Sequence, residues 1–286
     1  MKFQELADDL IADGLQATSS AFGDTQRAFL LSRQAASGGF CSPGGDADLY
    51  YTEFALRSLG IQDAPREIFV RAAEWIRSQE LQADEINCFG YLNSRRILSA
   101  RGIQIPPMPM ALPPLAQGCA YRTFTGLLCR ELIGQEASEA QADGLMLLQR
   151  ADGGYAESAD QPVPQTNATA AVMGSMVICG RAAQPAVKWG CDYLLARQAA
   201  DGGFTAHAEL SAGDLLSTFT AVLSLAMLGR TDDVDLTGLA RFVRECARPA
   251  GGFAAEPSQA FAADVEYTYY GLALTGLMRG MLRAMS

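Results

Sequence analysis

Histidine is almost absent from this chain of 286 residues, which contains only His207. A histidine-rich metal site therefore cannot form from this chain alone, and a Ser/His/Asp triad could use only this one histidine. The seven cysteines are scattered and form no CxxC pair, as is typical of buried thiols in a reducing compartment. No apolar run approaches the roughly 18 residues of a membrane span, and the acidic, amphipathic N-terminal stretch is not a secretion signal. We therefore expect a cytoplasmic protein without a transmembrane segment.

Basic segments are also missing. The net charge is −10, and no cluster of Lys or Arg is present that could neutralise the phosphates of a nucleic acid. Strand-like alternation of β-branched residues is absent as well. These absences argue against a general nucleic-acid binder and favour an all-α fold.

The chain does contain a repeated motif: a Gln, three residues, two glycines and an aromatic residue, followed by a Thr near the start of an apolar helix. Three of its glycine pairs begin at Gly153, Gly202 and Gly251, two steps of 49 residues (153 to 202 to 251), and an earlier copy begins at Gly38. The copy at Gly251 reads CARPAGGF, with Ala247 at the position of the Gln. A fixed period of this length indicates a repeat architecture. Each unit is predicted to be an outer helix, a glycine-rich turn and an inner helix.

Six inner helices are predicted, and the first residues of these helices occupy equivalent positions in the repeat. These residues are Asp48, Asn87, Cys119, Gln165, Asp214 and Asp264. The proline-rich stretch 105–115 interrupts the pattern, because proline removes amide donors and restricts the residue before it, so one outer helix is expected to be missing. We predict a single domain, residues 1–286, in which about six inner and five to six outer helices form a closed ring around a central cavity.

Aromatic side chains crowd the beginnings of the predicted inner helices. They would suit a long apolar ligand or would stabilise a carbocation through their ring faces, although an aromatic residue at helical spacing is also ordinary core. The aromatic candidates for ligand contact are Tyr50, Tyr51, Tyr121, Phe124, Phe219, Tyr267 and Tyr270. Helical spacing from the first residue of each helix places one further set toward the cavity. That set is Tyr51, Gly90, Arg122, Ala168, Ser217 and Tyr267.

Acidic residues begin three of these helices. If the ring closes in sequence order, Asp214, Asp264 and Asp48 fall on neighbouring helices, with Glu266 close by. An acid at a helix N-terminus is ordinarily a cap that contributes about 0.5 to 2 kcal/mol. The same acids around an apolar hollow could instead raise the pKa of one another and supply a proton, or hold a cation. The sequence leaves both interpretations open.

These motifs resemble the α/α toroid superfamily of protein prenyltransferase β subunits and terpenoid cyclases. The likeness covers most of the chain and is strongest from about Gln149 to the C-terminus. GGFAAEPSQAFAADVEYTYYGLALTGL from Gly251 resembles the final β-subunit repeat. DVEYTY from Asp264 resembles the D-x-D-D-T-A motif of proton-initiated cyclases, with Glu266 at the position of the proton donor. The resemblance implies an α/α toroid that handles an isoprenoid.

The zinc site that the resemblance implies departs from the β-subunit pattern. Asp214 keeps the position of the Asp ligand, whereas Leu216 and Tyr267 occupy the positions of the Cys and His ligands. Leu cannot donate to zinc, and Tyr is a poor substitute for imidazole. No zinc is therefore expected, and no other cofactor is implied.

The diphosphate clamp of the family departs from its pattern too. Its cationic or imidazole positions hold Gln165, His207 and Leu210, and Arg122 is a nearby substitute. Recognition of phosphate depends on fixed cationic donors. A diphosphate beside the acidic cluster would need a bridging divalent ion such as Mg²⁺. The sequence does not decide whether such an ion binds.

Three functions agree with these observations. The first is an isoprenoid-handling enzyme resembling prenyltransferase β subunits, which would bind a polyprenyl chain in the cavity, with degraded zinc and diphosphate sites and, as in the family, a helical partner subunit. The second is a terpenoid cyclase in which Glu266 or Asp264 starts the reaction and Asp214 and Asp48 are the nearby acids. The third is a non-catalytic toroid that binds a lipid or a protein. Fold alone does not decide whether the chain is an enzyme.

Overall fold

The computed structural model describes residues 2–16, 20–41, 44–62, 64–80, 82–107, 112–116, 118–258 and 260–284. The described residues form eleven α-helices, one 3-10 helix and two short paired strands. In chain order these are α1 (Phe3–Leu15), α2 (Ser20–Leu31), β1 (Phe40–Cys41), β2 (Ala47–Asp48), α3 (Leu49–Gly60), α4 (Arg66–Arg77), α5 (Glu85–Ser99), α6 (Ala120–Leu132), the 3-10 helix (Glu139–Leu148), α7 (Thr166–Ile178), α8 (Pro185–Leu195), α9 (Leu215–Met227), α10 (Leu236–Cys246) and α11 (Val265–Ala284).

Six of the helices form a closed ring. Helix α3 packs on α5, α5 on α6, α6 on α7, α7 on α9, α9 on α11, and α11 returns to α3. Helices α2, α4, α8 and α10 and the 3-10 helix pack against the outside of the ring. The predicted all-α ring is thereby confirmed. No helix in the described part of the chain is both long enough and apolar enough to span a membrane.

The predicted gap in the outer layer falls between α5 and α6. Residues 103–107 and 112–116 contain no helix, and residues 108–111 of the proline-rich stretch lie outside the described residues. Ile103 and Ile105 are nevertheless buried in the core, so residues 103–107 pack against the ring without forming a helix.

The glycine pair of each motif is required by close packing against an outer helix. In the copy that begins at Gln198, Gly202 has a φ of 96°, a backbone conformation that favours glycine. A Cβ at Gly202 would lie 2.1 Å from the carbonyl oxygen of Gly238 in α10. The Gln198 amide donates to the carbonyls of Gly202 (3.1 Å) and Asp235 (3.0 Å). The motif therefore ties one outer helix to the next.

The aromatic residue and the Thr of the motif join the turn to an inner helix. The backbone N–H of Phe204 donates to Thr218 Oγ1 at 2.9 Å, and the Phe204 ring is fully buried. The same bond recurs in three other copies. It joins Phe40 to Thr52, Tyr155 to Thr169, and Phe253 to Thr268. An unpaired buried amide is costly. The hydrogen bond to this amide therefore accounts for the Thr residues near the start of the inner helices, and no catalytic role is needed to explain them.

Helix α1 lies across the end of the ring at which the inner helices finish. It packs on α11, and makes smaller contacts with α7 and α9. The backbone N–H of Phe3 donates to Glu131 Oε2 of α6 (2.9 Å), and Asp8 Oδ2 lies 2.6 Å from Arg96 Nη2 of α5. A Cβ at Gly276 of α11 would lie 2.3 Å from the carbonyl oxygen of Ile11, so the absence of a side chain lets α1 approach closely. Both partners on α5 and α6 lie near the C-terminal ends of their helices.

Candidate functional site

A cavity of about 470 Å³ lies within the ring. All six inner helices and α1 contribute to its wall, and aromatic side chains dominate the wall. These are Phe3, Tyr50, Phe54, Phe89, Tyr121, Phe124, Phe219, Tyr269 and Tyr270. The cavity is partly open to solvent. Its volume and lining are those of a binding site for an apolar small molecule.

Four aromatic rings form a continuous packed surface on one side of the cavity. The ring of Tyr270 stacks on Phe219 with centroids 4.8 Å apart and meets Phe54 edge-on at 5.5 Å. Phe54 also meets Tyr50 edge-on at 5.0 Å. Edge-to-face and offset contacts of this kind hold aromatic rings in fixed orientations. The cavity wall is therefore a rigid surface of π electrons on this side.

Glu266 is the carboxylate that this aromatic surface surrounds. Its Oε1 accepts from the hydroxyls of both Tyr50 (2.8 Å) and Tyr270 (2.9 Å), and the side chain lines the cavity. Burial and the neighbouring Glu266 carboxylate raise the pKa of both tyrosines, so both remain neutral hydrogen-bond donors. Both tyrosine hydroxyls therefore donate to the same oxygen, Oε1, of the Glu266 carboxyl group.

The three other candidate acids are helix caps. Asp48 Oδ1 accepts from the backbone N–H of Tyr51 (2.7 Å), Asp214 Oδ1 from Ser217 (2.8 Å), and Asp264 Oδ1 from Tyr267 (2.8 Å). Each satisfies an amide that the helix itself leaves unpaired, and the three caps belong to the neighbouring helices α9, α11 and α3. None of the three lines the cavity.

Burial raises the pKa of all three capping acids. Asp48 and Asp214 are shifted upward by desolvation, against the lowering effect of their backbone hydrogen bonds. For Asp264, burial together with the charge of Glu266 raises the pKa to about 6. The folded chain thus holds Asp264 partly protonated near neutral pH, directly beside the residue that lines the cavity.

A pH-dependent stability follows from Asp264. Its folded-state pKa of about 6 exceeds the ordinary value of 3.8, so the protonated form is favoured by folding. Asp264 therefore contributes stability that is present below about pH 4 and is lost as the pH rises through about 6. We expect the free energy of unfolding, measured in urea at pH 4 and pH 7, to fall less across this range in Asp264→Asn, because Asn still caps the helix without titrating. An NMR titration midpoint of the Asp264 carboxyl near 4 would contradict this expectation.

The predicted ligand contacts divide into two groups. Tyr50, Tyr121, Phe124, Phe219 and Tyr270 line the cavity, as does Glu266 among the predicted acids. Tyr51, Arg122, Gln165, His207 and Tyr267 do not. In place of a ligand, Arg122 Nη2 donates to Glu85 Oε1 at 2.9 Å with its side chain 60% exposed. Gln165 is the N-cap of α7, and His207 Nδ1 lies 3.9 Å from Glu209 Oε2.

The cavity face lies one residue earlier on each helix than the spacing predicted. The lining residues stand two positions after the cap, and the predicted ones stood three positions after it. The lining residues at this position are Tyr50, Tyr121, Asn167, Leu216 and Glu266. Helix α5 also begins earlier than predicted, with Asp84 as the cap in place of Asn87. Tyr51 and Tyr267 lie among the capping acids instead, where burial and the nearby carboxylates raise the pKa of each tyrosine to about 12.

A buried ion pair on the cavity wall was not predicted. Arg57 lines the cavity, and its Nε donates to Glu53 Oε1 at 2.9 Å. Asn93 of α5 donates to the same oxygen. The Arg57 guanidinium also lies 4.5 Å from the ring centroid of Tyr269, within the range of a cation–π interaction. The Glu and Arg four residues apart on α3 were the sequence signal that could have revealed the pair.

A second glutamate at the cavity, Glu157, was also missed. Its Oε1 accepts from the thiol of Cys119 (2.9 Å) and from the backbone N–H of Tyr121 (3.1 Å). Burial and Glu157 raise the pKa of the Cys119 thiol, which therefore stays a neutral donor. Glu157 comes from the loop before α7, where the sequence carries no helical periodicity, so the spacing argument did not reach it.

Residues 15–91 and 121–285 match the family described as the prenyltransferase alpha-alpha toroid domain. The chain belongs to this family. No curated protein sequence matches the chain. The toroid domain is similar in fold to Candida albicans protein geranylgeranyltransferase-I complexed with GGPP, with a TM-score of 0.52 and 13% identity over 95% of this chain and 82% of that one.

Two solved structures of a cyclase are similar to the toroid domain as well. Type II terpene cyclase MstE from Scytonema has a TM-score of 0.59 and 16% identity, over 93% of this chain and 98% of that one. A substituted form of the same cyclase, in complex with geranylgeranyl dihydroxybenzoate, has a TM-score of 0.58 and 15% identity, over 96% and 99% of the two chains. At these identities the likeness shows the fold.

Proposed function

We propose that this toroid domain is an isoprenoid-handling enzyme in which Glu266 protonates a chain bound in the central cavity. The observation that carries this proposal is the placement of Glu266. It is a carboxylate on the wall of an aromatic cavity, with both hydroxyl partners on one oxygen. A carboxylic acid that keeps one oxygen free toward an apolar ligand is arranged to give up a proton to it.

The proposed step begins with proton transfer from Oε2 of Glu266 to a carbon of a ligand double bond. The O–H bond breaks and a C–H bond forms, which leaves a carbocation on the neighbouring carbon. Attack by the next double bond closes a ring, and loss of a proton from an adjacent carbon to solvent ends the reaction. The product is an isomer of the substrate, and Glu266 is protonated again from solvent. The ring faces of Phe54, Phe219 and Tyr270 would stabilise the positive charge as it moves.

Two similar structures support the choice of an isoprenoid. The Candida albicans geranylgeranyltransferase holds GGPP, and the Scytonema cyclase holds geranylgeranyl dihydroxybenzoate. Both ligands carry the same branched, unsaturated hydrocarbon chain. The aromatic cavity of about 470 Å³ in this chain has the chemistry that such a chain requires.

The residues at the implied zinc positions support protonation better than transfer of a prenyl group to a thiol. Leu216 lines the cavity without a donor atom, and Asp214 is already the cap of α9. Among the described residues no group of three or more His, Cys, Asp or Glu side chains is placed to hold a metal ion. Protonation by a carboxylic acid requires no metal and no cationic clamp.

The proposal is tested by incubating the purified protein with geranylgeraniol or geranylgeranyl diphosphate in D₂O and analysing the extract by mass spectrometry. A protonation-initiated isomerisation yields a cyclic product that has gained a single deuterium on carbon. Release of free diphosphate with loss of the prenyl chain would overturn it in favour of prenyl transfer. Binding seen by native mass spectrometry, with recovery of unchanged ligand, would overturn it in favour of a non-catalytic lipid carrier.

A further inference from the structure

Helix α1 is not part of the repeated ring, yet it forms part of the cavity wall. The family match begins at residue 15, the last residue of α1. Phe3, Gln4 and Ala7, spaced along one face of α1, line the cavity. The wall that these residues supply therefore comes from a segment that lies almost entirely outside the residues matched by the family.

The acid and α1 lie toward opposite ends of the cavity. Glu266 is the second residue of α11, and its partner Tyr50 is the second residue of α3. Helix α1 is attached instead near the C-terminal ends of α5 and α6, through Arg96 and Glu131. On α9 the lining runs from Leu216 to Ser224, eight residues or about 12 Å of helix.

Two side chains of α1 set how much room is left at that end. Phe3 is buried and meets Phe124 edge-on, with ring centroids 5.2 Å apart. Ala7, which is 2% exposed, is the smallest side chain that α1 presents to the cavity. Since protein interiors are close-packed, a larger residue at position 7 removes cavity volume, and a smaller one at position 3 adds volume.

We propose that α1 determines the length of the isoprenoid that the cavity accepts, with Phe3 and Ala7 as the residues that set the limit. This inference rests on the proposed function, because it takes the ligand to be an isoprenoid. A chain whose reacting double bond lies at Glu266 extends toward α1, so that its far end meets these two side chains. Each additional isoprene unit must fit the space that they leave.

The test measures dissociation constants of geraniol, farnesol and geranylgeraniol, which differ by one isoprene unit each, for the wild-type protein and two α1 variants. Ala7→Phe is expected to weaken binding of the longest alcohol by at least about tenfold relative to geraniol, because even one misfitting methylene group changes affinity by about that factor. Phe3→Ala is expected to act in the opposite direction and to improve binding of geranylfarnesol, which is one unit longer. Leu10→Ala is the matched control, since Leu10 packs on the core from α1 without lining the cavity.

The outcomes separate this inference from the proposed function. The inference fails if Ala7→Phe weakens the binding of all the alcohols equally. It also fails if Phe3→Ala leaves the preference for chain length unchanged. In either case α1 does not limit the length of the bound chain. If the wild-type protein binds none of the alcohols, the isoprenoid function itself fails. Ala7→Met, with a flexible side chain, replaces Ala7→Phe if the latter does not fold, and the same shift in preference is then expected. A shift of equal size in Leu10→Ala would also overturn the inference.

Discussion

Glu266→Gln is expected to lower the turnover of an isoprenoid substrate by about 10²- to 10⁴-fold, the usual contribution of a positioned general acid. The amide has no acidic proton, but its oxygen can accept from Tyr50 and Tyr270 as Oε1 of Glu266 does. The cavity shape should therefore be preserved, and the dissociation constant of geranylgeraniol is expected to stay within about twofold, since the lost function is proton transfer and not binding. Deuterium incorporation from D₂O provides the measurement of turnover.

Glu209→Gln is the matched control for this experiment. Its side chain is 77% exposed and lies outside the cavity, so turnover should match the wild-type value. Undiminished turnover in Glu266→Gln would remove Glu266 from the mechanism and direct attention to Asp264, whose pKa is raised to about 6 beside it. A loss of ligand binding together with turnover would mean that Glu266 holds the tyrosines in place instead of donating a proton.

Glu53→Leu is expected to cost about 3 to 5 kcal/mol of unfolding free energy, the typical effect of breaking a buried ion pair. The side chains of Arg57 and Glu53 are 9% and 3% exposed. The substitution removes the ion-pair partner of a buried guanidinium and leaves the Asn93 amide without this acceptor. The contact of Arg57 with the Tyr269 ring offsets only part of this cost. Urea denaturation measures the difference in unfolding free energy.

Two controls interpret the result. The double variant Glu53→Leu with Arg57→Leu removes both charges and is expected to recover most of the lost stability, because paired apolar side chains of similar volume often equal a buried ion pair. Asp192→Leu breaks a more exposed ion pair, in which the side chain of Asp192 is 49% exposed and that of Arg230 is 31% exposed. This substitution should lower the unfolding free energy by about 1 kcal/mol or less. A loss below about 1 kcal/mol in Glu53→Leu would show that the cavity hydrates Arg57.

The ring could be predicted from the sequence because its joints are local and repeated. Each copy of the motif contains the glycines that approach an outer helix and the Thr that receives an amide, as the bond of Phe204 shows. Three of the copies also contain the Gln that closes the turn, as the bond of Gln198 shows. Every element of that joint lies within one repeat or its immediate neighbour. The period of 49 residues was therefore enough to predict the ring architecture.

The site was less accessible to sequence reasoning, because helix period does not fix helix phase. A shift of one residue rotates a helical side chain by about 100°, and the prediction selected Tyr51 and Tyr267 in place of Tyr50 and Glu266 as the cavity-facing pair. Glu266 was still found through the cyclase-like motif, and Tyr50 as one of the aromatic candidates for ligand contact. The contribution of α1 could not be found in this way, because its contacts with α6 and α11 join residues more than a hundred positions apart in the chain.

Closure of the ring has a consequence for how the chain is assembled. The backbone N–H of Gly252 donates to Gln26 Oε1 at 2.7 Å across 226 positions of sequence, so the final glycine turn docks on the first outer helix. An open array of repeats can nucleate anywhere and fray from its two ends. This chain has no such ends, and its last joint forms only after the final repeat has left the ribosome. Until then the first repeats expose the apolar surface that the last repeat will cover. Aggregation is therefore expected to compete most strongly with this slow, non-local closing step.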